Sequence, residues 1–386
     1  MKFDLPKSIK FVLDTLIKNG HKAYIVGGCV RDLLCKKEPH DYDITTSATP
    51  QQVQSLFEKT VATGIKHGTV TVIVCGGETE VTTFRTEKGY SDNRHPDGVN
   101  FVTDVKQDLA RRDFTVNAMC YNDNEGLIDI FGGADDIKNK MLKAVGNPET
   151  RFCEDALRIL RLFRFSATLG FDIEENTFNS AIKCSSKLSD ISAERIFAEL
   201  KKAACGDNVT ALCPLLKTNA LKKYNLKNAD LSNISKLEND ENLRVFALLN
   251  LTSNNLPETL KKLKCSNIFK DYCLKMNYLS NNIITENKIS LKKALNFADV
   301  DIINDILCYY AAIQNSDIKK RKELLIETIN NKEPYKISHL DISGNDISAL
   351  GVSGKDIGST LEFLLDKVIT CPTINKKSKL IELICN

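Results

Sequence analysis

The spacing of apolar residues changes near residue 146, and this change constrains the fold more than any other feature of the chain. Before it, apolar runs of strand length alternate with helical spacings. After it, apolar residues recur at helical spacing, with no convincing strand. The sequence therefore predicts an α+β protein, in which a small mixed-sheet head of about 145 residues precedes an all-α remainder.

Individual elements of the head follow from the same pattern. A helix is predicted over residues 7–18, ended by Asn19-Gly20, and a buried strand over residues 23–26. A second strand is predicted over residues 41–44. The remaining predictions are a helix from Pro50 through Phe57 and two strands, residues 69–74 and 80–84, joined by a turn at Gly76-Gly77.

The charge of the chain is almost balanced, which excludes a histone-like protein. Lys and Arg number 53 against 50 Asp and Glu in 386 residues, so that any contact with nucleic acid must come from local patches. The helical half carries pairs and clusters of lysines. Each alone is typical of a solvated helix face, but together they would suit binding of a nucleic-acid phosphate backbone over a long surface. They are Lys201-Lys202, Lys222-Lys223, Lys261-Lys262, Lys292-Lys293, Lys319-Lys320-Arg321-Lys322 and Lys376-Lys377.

The cysteines and the hydropathy predict a reduced, cytoplasmic protein without a membrane segment. The 13 cysteines are scattered, with no pair or cluster at the spacing of a zinc site. The N-terminal residues lack the apolar region of a signal peptide, and no run of about 18 apolar residues occurs.

Two glycines follow the first predicted strand, and two carboxylates lie on the second. The first strand runs into Gly27-Gly28-Cys29-Val30-Arg31-Asp32, and the second contains Asp41-Tyr42-Asp43. Paired glycines let a phosphate approach backbone N–H groups. Arg31 suits either a triphosphate clamp or an ion pair with Asp32. Carboxylates at i and i+2 of a strand face one side, which suits Mg²⁺ as well as a solvated strand end.

A second dense segment is Arg111-Arg112-Asp113-Phe114-Thr115-Val116-Asn117-Ala118-Met119. Two arginines, an acid and an amide within seven residues are typical of neither a core nor a linker. The segment is as readily structural as functional on its own.

The third segment, Glu154 to Phe165, predicts a helix with one apolar arc and a face of arginines. Asp155 and Arg158 stand at i and i+3, which would place their charged groups side by side on a helix. Such a pair is either an intrahelical ion pair or a pair that recognises a nucleotide base. Adenine and cytosine both present an amino donor beside a ring-nitrogen acceptor, so a carboxylate next to a guanidinium matches them and mismatches uracil and guanine. Apolar residues interleave with the arginines, which indicates that the charged face is partly covered.

Taken together, these three segments strongly resemble the motifs of the bacterial/eukaryotic class of CCA-adding tRNA nucleotidyltransferases. That class belongs to the poly(A) polymerase-like branch of the polymerase-β superfamily. The resemblance implies a head over residues 1–145, a base-reading neck over 146–205 and a tRNA-binding body and tail over 206–386. It also implies template-independent addition of CCA to tRNA from CTP and ATP, by attack of the terminal 3′-hydroxyl on the α-phosphate with two Mg²⁺ ions and release of pyrophosphate.

Carried over by position, the resemblance also assigns site residues. Asp41 and Asp43 would be catalytic and would hold the metal, with Glu80 as a weaker candidate to support them. The nucleotide would be bound by Gly28, Arg31, Arg112, Asp155, Arg158, Arg161 and Arg164.

Related activities stay open at this point. Residues 85–96 resemble the mobile loop of CCA-adding and A-adding members, which argues against CC addition alone and leaves A addition possible. Two alternatives remain: a poly(A) polymerase of the same family, against which the balanced charge argues mildly, and an inactive RNA-binding relative, against which the intact pair of Asp41 and Asp43 argues. The sequence leaves the choice between monomer and homodimer open.

Overall fold

A computed structural model describes residues 2–74, 76–88 and 98–385, with backbone alone for residues 87 and 88. The chain forms two compact units, residues 1–229 and 230–386. The division into head, neck, and body and tail at residues 145 and 205 stays a prediction.

The strands that the structure describes all belong to the first unit. They are β1 Ala23–Val26, β2 Ile44–Thr46, β3 Thr60–Gly64, β4 Thr69–Val74, β5 Gly77–Thr83, β6 Arg85–Lys88, β7 Gly98–Phe101, β8 Met119–Asn122, β9 Gly126–Asp129, β10 Met141–Leu142 and β11 Asp172–Ile173. Its helices are α1 Lys7–Lys18, α2 Gly28–Leu34, α3 Pro50–Leu56, α4 Val105–Ala110, α5 Gly133–Lys138, α6 Pro148–Glu154, α7 Leu157–Leu169, α8 Glu175–Cys184, α9 Ala193–Ala204 and α10 Cys213–Leu216.

A mixed sheet organises this unit, in the order β3-β4-β5-β2-β1-β8-β9. Strand β2 pairs antiparallel with β1 and parallel with β5, whereas the other neighbours in the sheet are antiparallel. Tyr24 and Val26 of β1 pack with Phe84 and Leu109 in a buried core on one side. Burial of these apolar side chains holds α4 against the sheet.

The predicted elements of the head are largely confirmed, with one displacement that affects the site. Helix α1 and strand β1 have the predicted bounds, and α3 ends one residue early. The second strand covers Ile44–Thr46 rather than residues 41–44, because only those three buried residues pair with both β1 and β5. Asp41 and Asp43 therefore lie just before the strand, where the backbone N–H of Val26 still donates to the carbonyl of Asp43 at 2.9 Å.

The apolar pattern of the sequence did not predict every strand correctly. β3, β8, β9 and the hairpin of β6 and β7 were not predicted, and β5 begins at Gly77 rather than at Glu80. The two-residue strand β11 pairs in parallel with β10, so the part of the chain after residue 146 is not wholly without strands.

The second unit consists, in its described residues, of helices joined by loops. Its helices are α11 Glu241–Thr252, α12 Leu256–Lys262, α13 Asn267–Asn281, α14 Lys288–Phe297, α15 Val300–Ile313, α16 Lys319–Asn330, α17 Gly344–Ala349, α18 Asp356–Thr370 and α19 Lys377–Cys385. Phe246 of α11 packs on Tyr309 of α15, with ring centroids 5.2 Å apart. A separate core joins α17, α18 and α19 through Ile347, Leu364 and Leu380. The predicted α+β class with a helical remainder is thus confirmed.

Among the helices described, none is both long enough and apolar enough to cross a lipid bilayer.

Candidate nucleotide-binding site

A tight turn joins β1 to α2 at the two glycines. Gly27 has a φ of 82° and lies so close to Arg112 that a Cβ there would be 2.9 Å from the Nη1 atom. Glycine is required on both counts, since other residues are strained at this φ. Gly28 begins α2.

Arg31, on α2, is held by two partners. Its Nη2 donates to Asp32 Oδ1 at 2.7 Å, which is the ion pair that the sequence offered as its structural role. Its Nη1 donates to Asn117 Oδ1 at 2.7 Å, which connects α2 to the second motif. Arg31 is thus fixed in place before any ligand binds.

Asp41, Asp43 and Glu80 form a carboxylate cluster beside β2. Each of these residues is exposed, although neighbouring groups crowd the Asp43 carboxyl and partly desolvate it. Desolvation raises the pKa of the Asp43 carboxyl above its ordinary value, Glu80 and Asp41 raise it further, and Arg112 opposes them.

The donor chemistry of the carboxylate cluster fits a hard divalent cation. Carboxylate oxygens are the ligands that Mg²⁺ prefers, and a cation relieves the mutual repulsion that raises the Asp43 pKa. Within the described ranges, no group of three or more His, Cys, Asp or Glu side chains is arranged to hold a metal ion by itself. Water or the phosphates of a substrate would have to complete the coordination, and the exposure of the cluster leaves room for them.

Arg112 lies between the carboxylate cluster and the third motif. Its guanidinium approaches Gly27, as described above, and its Nη2 is 3.6 Å from Asp108 Oδ2. Asp108 is fully buried and also accepts from Arg111 at 2.8 Å. Burial alone would raise the pKa of Asp108, but the two arginines lower it, so this carboxylate stays charged and anchors both.

The helix predicted through the third motif is broken at Asp155. Helix α6 ends at Glu154, Asp155 is extended with φ −137° and ψ 105°, and α7 starts at Leu157. One oxygen of Asp155, Oδ1, accepts from the backbone N–H of Leu157 at 3.0 Å. The expected i and i+3 geometry on one helix is therefore wrong, because Asp155 satisfies the start of α7 rather than continuing α6.

Asp155 and Arg158 nevertheless face the same pocket, of about 290 Å³. Most of its lining residues are charged, and they come from the second motif, the third motif and α9. They are Arg111, Arg112, Asp113, Asp155, Leu157, Arg158, Arg161 and Arg195.

Arg158 is held rigidly at the wall of this pocket. Its Nη1 donates to Glu154 Oε2 at 2.6 Å, and its Nη2 donates to the carbonyl of Arg111 at 3.0 Å. The apolar residues that interleave with the arginines are buried, in agreement with the prediction that this charged face is partly covered. They are Leu157, Leu162 and Phe165.

Arg161 and Arg164 share a buried acid on α9. Arg161 donates to Asp113 Oδ2, with its Nη2 at 2.7 Å, and its Nη1 lies 3.7 Å from Glu199 Oε1. Arg164 donates from Nε to Glu199 Oε2 at 2.8 Å and stacks on Phe165, 3.6 Å from the ring centroid. Of the three arginines of α7, Arg164 does not line the pocket.

Two residues of α9 were missed by the sequence interpretation. Arg195 donates from Nη2 to Asp155 Oδ2 at 2.7 Å, and Glu199 holds the two arginines just described. They stand at i and i+4, hence on one face. The available signal was two charged residues beside the apolar positions Ile196 and Leu200 of an amphipathic helix.

The second motif is buried, contrary to its description as poor core material. Phe114, Val116 and Ala118 are inaccessible to solvent. Its polar members are buried with partners: Asp113 accepts from Arg161, and Asn117 accepts from Arg31. Satisfied polar groups can occupy a core, which the composition alone did not reveal.

The structure thus brings together most of the predicted residues. Arg112, Asp155, Arg158 and Arg161 line the pocket, and Arg31 reaches it through Asn117 and Asp113. The carboxylate cluster adjoins Arg112. Of the predicted loop over residues 85–96, residues 89–96 lie outside the described residues.

Two family models match this chain. That of the "Poly A polymerase head domain" matches residues 23–143, and that of the "Probable RNA and SrmB- binding site of polymerase A" matches residues 170–229. The first covers the sheet and the carboxylate cluster. The second covers α8, α9 and α10.

Known relatives and a solved structure agree with these matches. A CCA-adding enzyme of Lactococcus lactis is 36% identical over 378 residues, which is 93% of this chain and 92% of that protein. A CCA-adding enzyme of Oceanobacillus iheyensis is 43% identical over 270 residues, 67% of either protein. The crystal structure of the Bacillus stearothermophilus CCA-adding enzyme in complex with CTP is 28% identical, with a TM-score of 0.86, and the match covers 98% of this chain and 97% of that one.

Proposed function

Because this chain belongs to the family of CCA-adding enzymes, which are tRNA nucleotidyltransferases, we propose that it adds CCA to the 3′ ends of tRNA from CTP and ATP without a nucleic-acid template. The terminal 3′-hydroxyl would attack the α-phosphate of the nucleotide and release pyrophosphate. The observation that carries the proposal is the pocket in which Asp155, Arg158 and Arg112 meet next to the carboxylate cluster.

Asp155 and Arg158 provide the base selection in this proposal. An ionised carboxylate has about four lone-pair positions. Two of those on Asp155 accept from Leu157 and Arg195, which leaves capacity for the amino group of adenine or cytosine. Arg158 would donate to the neighbouring ring nitrogen. Uracil and guanine would leave buried groups unsatisfied, at a cost of roughly 1–3 kcal/mol each.

The arginines and glycines would bind the triphosphate. Arg112 and Arg31 lie around the turn at Gly27, where the backbone is accessible because Gly28 has no side chain. Arg161, held by Asp113, adds positive charge to the wall of the pocket. Arg164 would contribute indirectly, because it binds Glu199, which also pairs with Arg161. A guanidinium that is already oriented loses little freedom when it binds phosphate.

Asp41 and Asp43 would hold the divalent cations, two Mg²⁺ ions in our proposal. When bound, these ions would neutralise charge on the phosphates and on the attacking and leaving oxygens. Glu80 would support the two aspartates, since it acts on the pKa of Asp43. We also propose a cytoplasmic location, where the free thiols of the described cysteines stay reduced.

Extension of a tRNA that lacks CCA tests the proposal directly. With Mg²⁺, CTP and ATP we expect three added nucleotides, and with CTP alone we expect two. Asp41→Ala and Asp43→Ala should each abolish addition of C and A alike, while Asp207→Ala, an exposed acid on the same unit, should not.

Each other result of this assay has a defined meaning. Failure to add C, with A still added to a tRNA ending in CC, would identify an A-adding enzyme. A long run of A on any RNA would identify a poly(A) polymerase. Absence of any transfer by the wild type would leave an inactive RNA-binding relative, and full activity of either aspartate variant would disprove the metal assignment.

Base selection needs a separate measurement. Asp155→Asn replaces an acceptor by a group that also donates, so we expect incorporation of U and G relative to C and A to rise by about tenfold or more. The KM for tRNA should change little. If only the tRNA KM rises, Asp155 does not read the base.

A further inference from the structure

Arg195 brings to the pocket a hydrogen-bond donor that has no partner among the described residues. Its Nη2 donates to Asp155 Oδ2 at 2.7 Å, whereas its Nη1 is buried and makes no hydrogen bond within the described structure. Buried donors are nearly always satisfied, and an unsatisfied one at a ligand site indicates that the ligand supplies the acceptor. The base pocket of the proposed function is the site that this donor adjoins.

The atoms that flank the amino group differ between the two substrate bases. In both, the ring nitrogen that Arg158 would recognise lies on one side of the amino group. On the other side adenine presents N7, an acceptor, whereas cytosine presents a C–H group. A donor next to Asp155, on the side away from Arg158, therefore finds an acceptor only in adenine.

Arg195 and Arg158 are held at the pocket by different elements. Arg195 binds the carboxylate of Asp155 from α9, whereas Arg158 is held by Glu154 of α6 and by the carbonyl of Arg111 at the end of α4. The guanidinium fork can donate to two acceptors at once, one through each terminal nitrogen.

We propose that Arg195 is a specificity residue for adenine, which holds Asp155 through Nη2 and donates from Nη1 to N7 of the incoming ATP. This inference rests on the proposed function and deepens it. Asp155 and Arg158 accept C and A alike, and Arg195 distinguishes between them. The pocket thereby favours ATP by one hydrogen bond without any change in the groups that exclude U and G.

The first test uses the wild-type enzyme and 7-deaza-ATP, in which N7 is replaced by a C–H group. On a tRNA that ends in CC, we expect kcat/KM for 7-deaza-ATP to be roughly 3- to 10-fold below that for ATP, the effect of one hydrogen bond. The comparison stays within one base, so the size of the nucleotide and its amino group are unchanged. A difference below twofold would overturn the inference.

The second test uses Arg195→Lys, which keeps a positive charge for Asp155 but cannot donate to two acceptors in the geometry of the fork. We expect this variant to use ATP and 7-deaza-ATP equally well, and to lose much less activity with CTP than with ATP. Glu194→Gln, which removes an exposed charge from the same helix, should retain the wild-type preference for ATP over 7-deaza-ATP. Equal losses with CTP and ATP, with that preference intact, would make Arg195 a positioning residue for Asp155 alone and would overturn the inference.

Failure of the inference can be distinguished from failure of the proposed function. If the wild type transfers neither C nor A, the proposed function fails. Calorimetric binding of ATP and 7-deaza-ATP to the full chain still tests the N7 contact in that case, since binding does not require transfer. Equal affinities for the two nucleotides would then reject it.

Discussion

At the scale of single residues, Asp113 connects the second motif to the third. It accepts from Arg161, from the backbone N–H of Phe114 and from Asn117. Burial alone would raise the pKa of Asp113, but the charges of Arg161 and Arg158 and the hydrogen bonds from Arg161 and Phe114 lower it to about 2. The carboxylate is therefore charged at any pH at which the protein works.

This pKa predicts a pH-dependent contribution to stability. A depressed pKa stabilises the folded state above the ordinary value near 3.8, and this contribution is lost as the pH falls through the folded value of about 2. Asp113→Asn removes it, which should lower the free energy of unfolding at pH 7 by about 2 kcal/mol. The difference from wild type should shrink between pH 4 and pH 2.

Chemical unfolding of both proteins at pH 7, 5, 4 and 3 measures this difference. Asp207→Asn, at an exposed position, should show no such trend. A difference between wild type and Asp113→Asn that stays constant down to pH 3 would show that the charge of Asp113 does not contribute.

At the scale of elements, helix α9 forms one wall of the site from a distance in sequence. Glycine sets how closely its C-terminal end approaches α7. A Cβ on Gly206 would lie 2.4 Å from the carbonyl oxygen of Ala167, which also accepts from the backbone N–H of Asn208 at 3.0 Å. A flexible side chain could move away from the added atom, but the backbone carbonyl of Ala167 cannot. Any larger residue at position 206 must therefore displace α9, and with it Arg195 and Glu199.

Gly206→Ala should therefore weaken both the fold and the site. We expect a loss of roughly 1–3 kcal/mol in the free energy of unfolding, together with weaker binding of CTP and of ATP. The matched control is Gly358→Ala in α18, where nothing outside the local helix backbone lies within 4 Å of the added Cβ and where alanine favours a helix by about 0.5–1 kcal/mol. Denaturant titration and nucleotide binding measure both effects. Equal behaviour of the two variants would contradict the close contact.

At the scale of the whole molecule, the assigned nucleotide site lies in one unit, whereas four of the six lysine clusters lie in the other. Every assigned site residue lies in the unit of residues 1–229. In the other unit, Lys292 is buried in an ion pair with Glu333 at 2.7 Å, and Lys293 pairs with Asp366. These two lysines are thus less suited to phosphate than the exposed Lys319, Lys320 and Lys322 on α16.

Local patterns predicted the elements that depend on local forces. Helix α1 was placed correctly because its apolar spacing and its Asn19-Gly20 end are both within the segment. The strand after Asp43 was misplaced because its bounds depend on two partner strands that are distant in sequence. The break at Asp155 was missed for a similar reason, since the carboxylate is held from α9.

The candidate site shows the same division. The resemblance of three motifs supplied most of the residues that line the pocket. It did not supply Arg195 and Glu199, because their importance lies in contacts across at least 35 positions in sequence. Composition also could not show that the second motif is buried in the core. Its polar groups are held in place there because each is paired.

The shared use of Glu199 has a consequence for how such a chain can diverge. One carboxylate serves Arg161 and Arg164 together, and Arg161 also depends on Asp113. A substitution at any of these positions removes a charged partner from the residues that it binds. Neutral evolution at these positions therefore requires paired replacements. Lineages that preserve the pocket are therefore expected to keep this group intact or to exchange it as a block.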